Sequence, residues 1–296
     1  LTKKVNFGQF IKKSGGKALY CPIVQNKLAS LRRLMVKPER IWFKSVSGHK
    51  LAGVLHLPEE PTNKAVIICH GFTGDKDEGI IKNYARYLTK EGYAAFRFDF
   101  FAHNESPGKF ENLTIKEEIS DLEAAINLMS GRFDKIGLVG HSLGGLIAST
   151  QANKANALVL WAPALYVYQN FKHIFSYYVQ NGVQQLEKQG YLLLSTRYWG
   201  WDWNYTYSKF KVSRKLWQEM KSFDTEGLLK KIKIPTTIIQ GNVDDVTEEK
   251  YAKLVHSKLK VRERSLHILR GVDHDFSTKQ RDLFELTTAH FNRYLK

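Results

Sequence analysis

The residues best placed to do chemistry sit in Gly140-His141-Ser142-Leu143-Gly144, a Gly-x-Ser-x-Gly pattern. An apolar run, 136–139, precedes it, and Leu146, Ile147 and Ala148 open a helix after it. A strand that turns sharply into a helix needs small flanking residues, which Gly140 and Gly144 supply. Ser142 is then lifted to the tip of the turn, with a helix N-terminus behind it. A serine hydroxyl is a weak nucleophile at neutral pH. It needs a general base, and the base needs a third group to orient it.

On a strand–elbow–helix scaffold the partners follow the serine in the order acid, then histidine. Four histidines lie beyond residue 245. His256 falls in a helical pattern, His267 inside a strand and His290 in the C-terminal helix. His274 stands in Gly271-Val272-Asp273-His274-Asp275-Phe276, a loop just past the last strand, where a base reaches the upper edge of a sheet. The acid is expected beyond the preceding strand, where Asp244 and Asp245 are neighbours and both fit by position. Negative charge on the substrate oxygen needs backbone N–H donors. Leu143, directly after the serine, is one candidate. Phe72, in the loop His70-Gly71-Phe72-Thr73-Gly74, is the other, and His70 is read as a brace of that loop because it precedes Ser142.

The elements that must position these residues follow from periodicity. Residues 41–45 and 51–57 read as a hairpin through Ser47-Gly48. Strands at 65–69, 94–98, 136–139, 157–161, 236–240 and 265–269 alternate with helices, among them 80–91 and 281–294. Thr114-x-x-Glu117 is a capping box before Ile119, Leu122, Ile126 and Met129. The expected fold is α/β: a mostly parallel eight-stranded sheet with helices on both faces and an inserted cap. The expected divisions are a basic extension over 1–39, a core over 40–162 and 224–296, and a cap over 163–223.

The cap is expected because about seventy residues separate the strand ending at Trp161 from the one starting at Thr236, whereas a crossover needs about a dozen. Residues 161–223 hold 17 of the 37 aromatics, so the segment is apolar enough to wall a pocket. Trp199, Trp201, Trp203, Tyr205 and Tyr207 alternate strictly, which predicts one extended stretch with an aromatic face, and the three tryptophans are candidate substrate contacts. The competing expectation is a small core packing on itself.

The net charge of +16 is concentrated at the start. Residues 1–40 carry ten Lys and Arg against Glu39 alone, or +9, leaving +7 for the other 256 residues. Leu28, Leu31 and Leu34 flank Arg32 and Arg33 at helical spacing, so the expected contact is an anionic membrane surface or an acidic partner, with packing of these leucines on the catalytic domain or a second subunit as the competing expectation. The arm has few aromatics and no recognised nucleic-acid module, which argues against nucleic acid. No apolar run is long enough to span a bilayer. Cys21 and Cys69 predict no disulfide and suit a reducing, cytoplasmic compartment, while a start at Leu1 leaves a trimmed N-terminus open. No Cys/His cluster has zinc-ligand spacing, and no cofactor is expected.

The set of motifs resembles the α/β-hydrolase superfamily, and within it the cinnamoyl/feruloyl esterase-like branch with its serine-aminopeptidase and monoacylglycerol-lipase relatives. The residues that carry the resemblance are 70–74, 96–100, 104–106, 140–145 and the two late loops, over about residues 40–296. Phe101-Ala102-His103-Asn104 departs from the Arg-Gly-x-Gly usual there, and Val246-Thr247 stands one residue closer to the acid than the usual Val-Pro. The resemblance implies Asp244 as the acid, three residues after Gly241. It also implies a serine esterase acting on apolar acyl or aryl esters. The enzyme alternatives are a lysophospholipase, a monoacylglycerol lipase or an acyl thioesterase. A binding protein on a hydrolase scaffold is the non-enzyme alternative, set against a chain in which no triad member is missing.

Overall fold

The computed structural model describes residues 37–199 and 205–296. Residues 1–36 of the basic arm, and Trp201 and Trp203, lie outside them. The first two strands, β1 (Glu39–Lys44) and β2 (Lys50–His56), form the expected hairpin, in antiparallel register. Then β3 (Lys64–Cys69), β4 (Ala94–Phe98), β5 (Lys135–His141) and β6 (Ala157–Trp161) alternate with helices. These are α1 (Gly79–Lys90), α2 (Ile115–Ser130) and α3 (Leu143–Thr150). The Thr114 hydroxyl accepts from the Glu117 N–H at 3.1 Å and starts α2, as the capping pattern requires.

Between β6 and the next sheet strand the chain inserts α4 (Val167–Tyr178), α5 (Gly182–Gln189), β7 (Tyr191–Trp199), β8 (Tyr205–Ser213) and α6 (Arg214–Ser222). It returns through α7 (Thr225–Lys231) to β9 (Thr236–Gly241), α8 (Glu249–Lys258), β10 (Arg264–Leu269) and α9 (Gln280–Tyr294). The eight-stranded sheet runs β1-β2-β4-β3-β5-β6-β9-β10. Only β1–β2 and β2–β4 pair antiparallel. No described helix is long and apolar enough to cross a membrane.

Both sheet faces are covered, which is why the central strands are apolar along most of their length. Ala65, Ile67 and Cys69 of β3 face a core shared with Leu122, Ile126 and Met129 of α2 and Leu146 and Ile147 of α3. Val66 and Ile68 face the other core, with Ile81, Tyr84 and Leu88 of α1 and Leu283, Phe284 and Phe291 of α9. Each fully buried Ile or Leu contributes about 1.5–3 kcal/mol of transfer free energy. The insertion is not a detached satellite: Phe171, Phe175, Leu186, Leu194 and Trp217 belong to the first core. Its α6 also reaches α2, where Glu219 accepts from the Ile115 N–H at 2.7 Å and places an acid at a helix N-terminus.

One expectation is corrected. The aromatic alternation is not a single extended stretch. Trp199 closes β7, Tyr205 opens β8, and the two are direct antiparallel partners. The period of two persists from β7 into β8, so the pattern alone does not separate the two strands.

Candidate active site

β3 lies between β4 and β5, so the crossovers diverge on either side of it. In open α/β sheets ligands bind outside the carboxyl ends of the strands at such a switch point. The loop after β3 and the turn after β5 meet there.

Ser142 joins β5 to α3 with φ 53° and ψ −120°, a left-handed conformation that a non-glycine residue holds only under constraint. The constraint is visible. The Ser142 N–H donates to the Trp161 carbonyl at 2.9 Å, and the Ser142 carbonyl accepts from Gly145 and Ala164, both at 3.0 Å. Glycine is required on both sides. A Cβ at Gly140 would come within 2.3 Å of the Gly144 carbonyl oxygen, and one at Gly144 within 2.3 Å of the His70 carbonyl oxygen. α3 can therefore approach the β3 loop backbone to backbone.

Asp244 and His274, thirty residues apart, meet beyond β9 and β10. His274 Nδ1 lies 2.9 Å from Asp244 Oδ2. The Asp244 carboxylate also accepts from the Val246 and Thr247 N–H groups at 2.8 and 2.7 Å, and from Gln240 Nε2 at 2.8 Å. Burial alone would raise its pKa. The His274 hydrogen bond and charge, with the Thr247 contacts, outweigh that and hold it below the ordinary carboxylate value. Asp245 is exposed, and its backbone carbonyl accepts from His173. Of the two neighbours, it is Asp244 whose carboxylate meets the histidine.

Burial pulls the His274 pKa down, but the hydrogen bond and charge of Asp244 win, and the charges of Asp275 and Glu78 add to them. The net result lies above 6.5. The adjacent His141 goes the other way. Burial, then the His274 charge, pushes it down to about 4. Two imidazoles with ring centroids 4.9 Å apart are thereby split, one with its protonated form favoured and one with it disfavoured.

The loop after β3 is held against β4. His70 donates from Nδ1 to the Gly71 carbonyl at 2.9 Å and accepts at Nε2 from the Phe100 N–H at 3.1 Å. Lys76, 1% exposed, anchors the far end of the loop. Its N–H and its Nζ each reach an Asp99 carboxylate oxygen at 2.8 Å, and Nζ lies 2.6 Å from Glu105. Among the described residues, neither the Phe72 nor the Leu143 N–H meets an acceptor. A Cβ at Gly71 would sit 3.1 Å from the Ser142 Cβ, so the loop passes directly over the serine.

Sequence reasoning did not find the apolar wall beside this loop. The Phe72 ring packs edge-on against Phe110 at 5.4 Å and Phe171 at 4.9 Å, and Phe175 lies at 6.3 Å. Phe171 and Phe175 are an i, i+4 pair on α4, a spacing that was there to be read. Of the tryptophans proposed for that role, Trp199 is placed by its backbone at the end of β7. A separate groove of about 720 Å³ opens at the opposite, N-terminal ends of β9 and β10, beside Thr237, Arg264 and Arg293, and none of the residues above lines it.

The strand order and the inserted helices are those of the α/β-hydrolase fold. Within that class, residues 60–197 match the family model for serine aminopeptidases of the S33 type. Similar solved structures include Est1E from Butyrivibrio proteoclasticus with ferulic acid bound, at 21% identity and TM-score 0.69, covering 86% of this chain and 98% of that one. The Pyrococcus furiosus esterase Pf2001 matches at 18% identity and TM-score 0.68, covering 90% and 95%. XC6422 from Xanthomonas campestris, an α/β serine hydrolase without a lid, matches at 17% identity and TM-score 0.60, covering 88% and 95%. No curated protein matches the chain.

Proposed function

We propose that the chain hydrolyses carboxylic esters through an acyl-enzyme, with Ser142, His274 and Asp244 as its triad. The observation that carries this is the 2.9 Å bond from His274 to Asp244 at the sheet edge where the strained Ser142 turn emerges. The Ser142 Oγ attacks the ester carbonyl carbon as His274 takes its proton. The negative oxygen is held by the Phe72 and Leu143 N–H groups. His274 then protonates the departing alcohol, and a water activated by the same histidine releases the acid. The buried, fully hydrogen-bonded Asp244 keeps the His274 proton on Nδ1 and stabilises the imidazolium.

The substrate class we propose is an ester with an apolar acyl or aryl group, hydroxycinnamoyl esters included. The Phe72, Phe110 and Phe171 wall and the ferulic acid bound to Est1E support it. We assign the basic residues 1–39 to contact with an anionic surface, outside the chemistry. A panel of p-nitrophenyl esters of increasing acyl length, methyl ferulate, a monoacylglycerol, a lysophospholipid and an acyl thioester tests the reading. The highest kcat/KM is expected on methyl ferulate or a short to medium acyl ester. A lead by the lysophospholipid or thioester would replace the substrate class, and no turnover of any would overturn the activity.

The pH dependence follows from the site. His274 acts as a base only when neutral, and its pKa lies above 6.5. Turnover of a neutral ester is therefore expected to fall as pH drops through a midpoint above that value. Asp275→Asn removes a negative charge that favours the imidazolium, so the acid limb should move to lower pH. A shift to higher pH would contradict this charge arrangement.

A further inference from the structure

Beside the proposed triad, and sharing its histidine, lies a set of possible metal-ligand atoms. One ring nitrogen each of His141 and His274 and one carboxylate oxygen of Asp275 fall within 4.8 Å of one another. His141 is buried, His274 is half-buried and Asp275 is exposed, so the cluster has one open side.

The hydrogen bonds fix where the lone pairs are. His141 Nε2 is 3.0 Å from the carbonyl oxygen of His274. A carbonyl only accepts, so Nε2 carries the proton and Nδ1 carries the lone pair. That Nδ1 is buried and meets no hydrogen-bond donor. It faces the loop over Ser142, where a Cβ at Gly71 would stand 3.4 Å from it. The same logic applies to His274: its Nδ1 proton goes to Asp244, which leaves the lone pair on Nε2. A ring N–H given to a carbonyl, and another given to a carboxylate, are the outer contacts that orient histidines at metal centres. A buried imidazole nitrogen with no donor carries a desolvation cost that a cation would remove.

We propose that His141, His274 and Asp275 form a zinc site, and that zinc held there switches the hydrolase off. Two imidazoles and a carboxylate suit Zn²⁺, whereas Mg²⁺ and Ca²⁺ demand oxygen. Three such ligands leave a fourth tetrahedral position for water. Bonds of about 2.0–2.2 Å require the donors to draw in from their present spacing. The exposed Asp275 can do so by side-chain rotation, with His274 kept on Asp244. Zinc on His274 takes the lone pair that ester hydrolysis needs, so occupancy and turnover are mutually exclusive. That consequence rests on the proposed triad, while the metal binding itself does not.

The test separates the two. Zinc at buffered free concentrations is titrated calorimetrically into the wild-type chain, Asp275→Ala, Asp275→Asn and Ser142→Ala. Hydrolysis of a short ester is followed in parallel for the wild type and the two Asp275 variants, each scaled to its own zinc-free rate. Zinc is expected to bind wild type and Ser142→Ala alike, and to bind both Asp275 variants at least about tenfold more weakly. Wild-type turnover should fall in step with occupancy, recover with EDTA, and ignore Mg²⁺ and Ca²⁺. Absence of binding, or equal binding by the Asp275 variants, overturns the site. Zinc occupancy that leaves turnover intact overturns the switch. Zinc binding by a chain that hydrolyses no ester would leave the metal site standing and reject the ester reading instead.

Discussion

Replacing Ser142 by alanine is expected to lower kcat by about 10⁴-fold or more, because the members of a triad act as one unit. The fold should survive. What holds residue 142 at φ 53° is backbone, through Trp161, Gly145 and Ala164, and the hydroxyl takes no part in those bonds. The melting temperature should therefore stay close to wild type while activity collapses. Ser142→Ala combined with His274→Ala should be scarcely worse than either alone, and additive losses would refute a shared mechanism. A fluorophosphonate should label one serine, in the peptide holding residues 140–145. Label on another serine would remove Ser142 from the chemistry.

Asp244→Asn is the second large effect, expected at about 10³- to 10⁴-fold in kcat. An asparagine keeps the shape, and its carbonyl oxygen can still accept from Val246 and Thr247. Its NH₂ group, however, faces His274 Nδ1 where a carboxylate oxygen stood, and it can only donate. The ring must then carry its proton on Nε2, toward the serine it should deprotonate. Asp245→Asn changes an exposed side chain and should leave kcat within a few-fold of wild type. Measuring both variants on one ester decides between them, and a reversed order would move the acid to Asp245.

Much of this site is legible in the chain because its parts are local. Gly140 and Gly144 announce the elbow since only glycine fits where carbonyl oxygens stand 2.3 Å from a Cβ position. His274 and the aspartate pair were placed by chain order, each in a loop just past a strand. What stayed hidden is long-range and aperiodic. Nothing near Lys76 shows that its ammonium will be buried against Asp99, or near His141 that its ring will tie to the His274 carbonyl. Phe171 and Phe175 have the spacing of any helix's core face, so their packing against Phe72 could not be told from ordinary burial. The division between Trp199 and Tyr205 was missed for the opposite reason, because a regular pattern continued from one strand into the next.

The Lys76–Asp99 pair bears on how this chain can change over generations. Both side chains are sealed from water, at 1% and 0% exposure. Losing Lys76 alone strands the buried Asp99 carboxylate, a penalty of about 3–5 kcal/mol and a large part of an ordinary domain's stability. Losing Asp99 leaves the buried ammonium only the partly exposed Glu105 and Asp77. Exchanging both for apolar residues of similar volume is often neutral. Positions 76 and 99 are therefore expected to drift as a pair, through a valley that single substitutions cross at the expense of folded protein. The loop that passes over Ser142 inherits that restriction, so its backbone is shielded from gradual change by two residues that never touch a substrate.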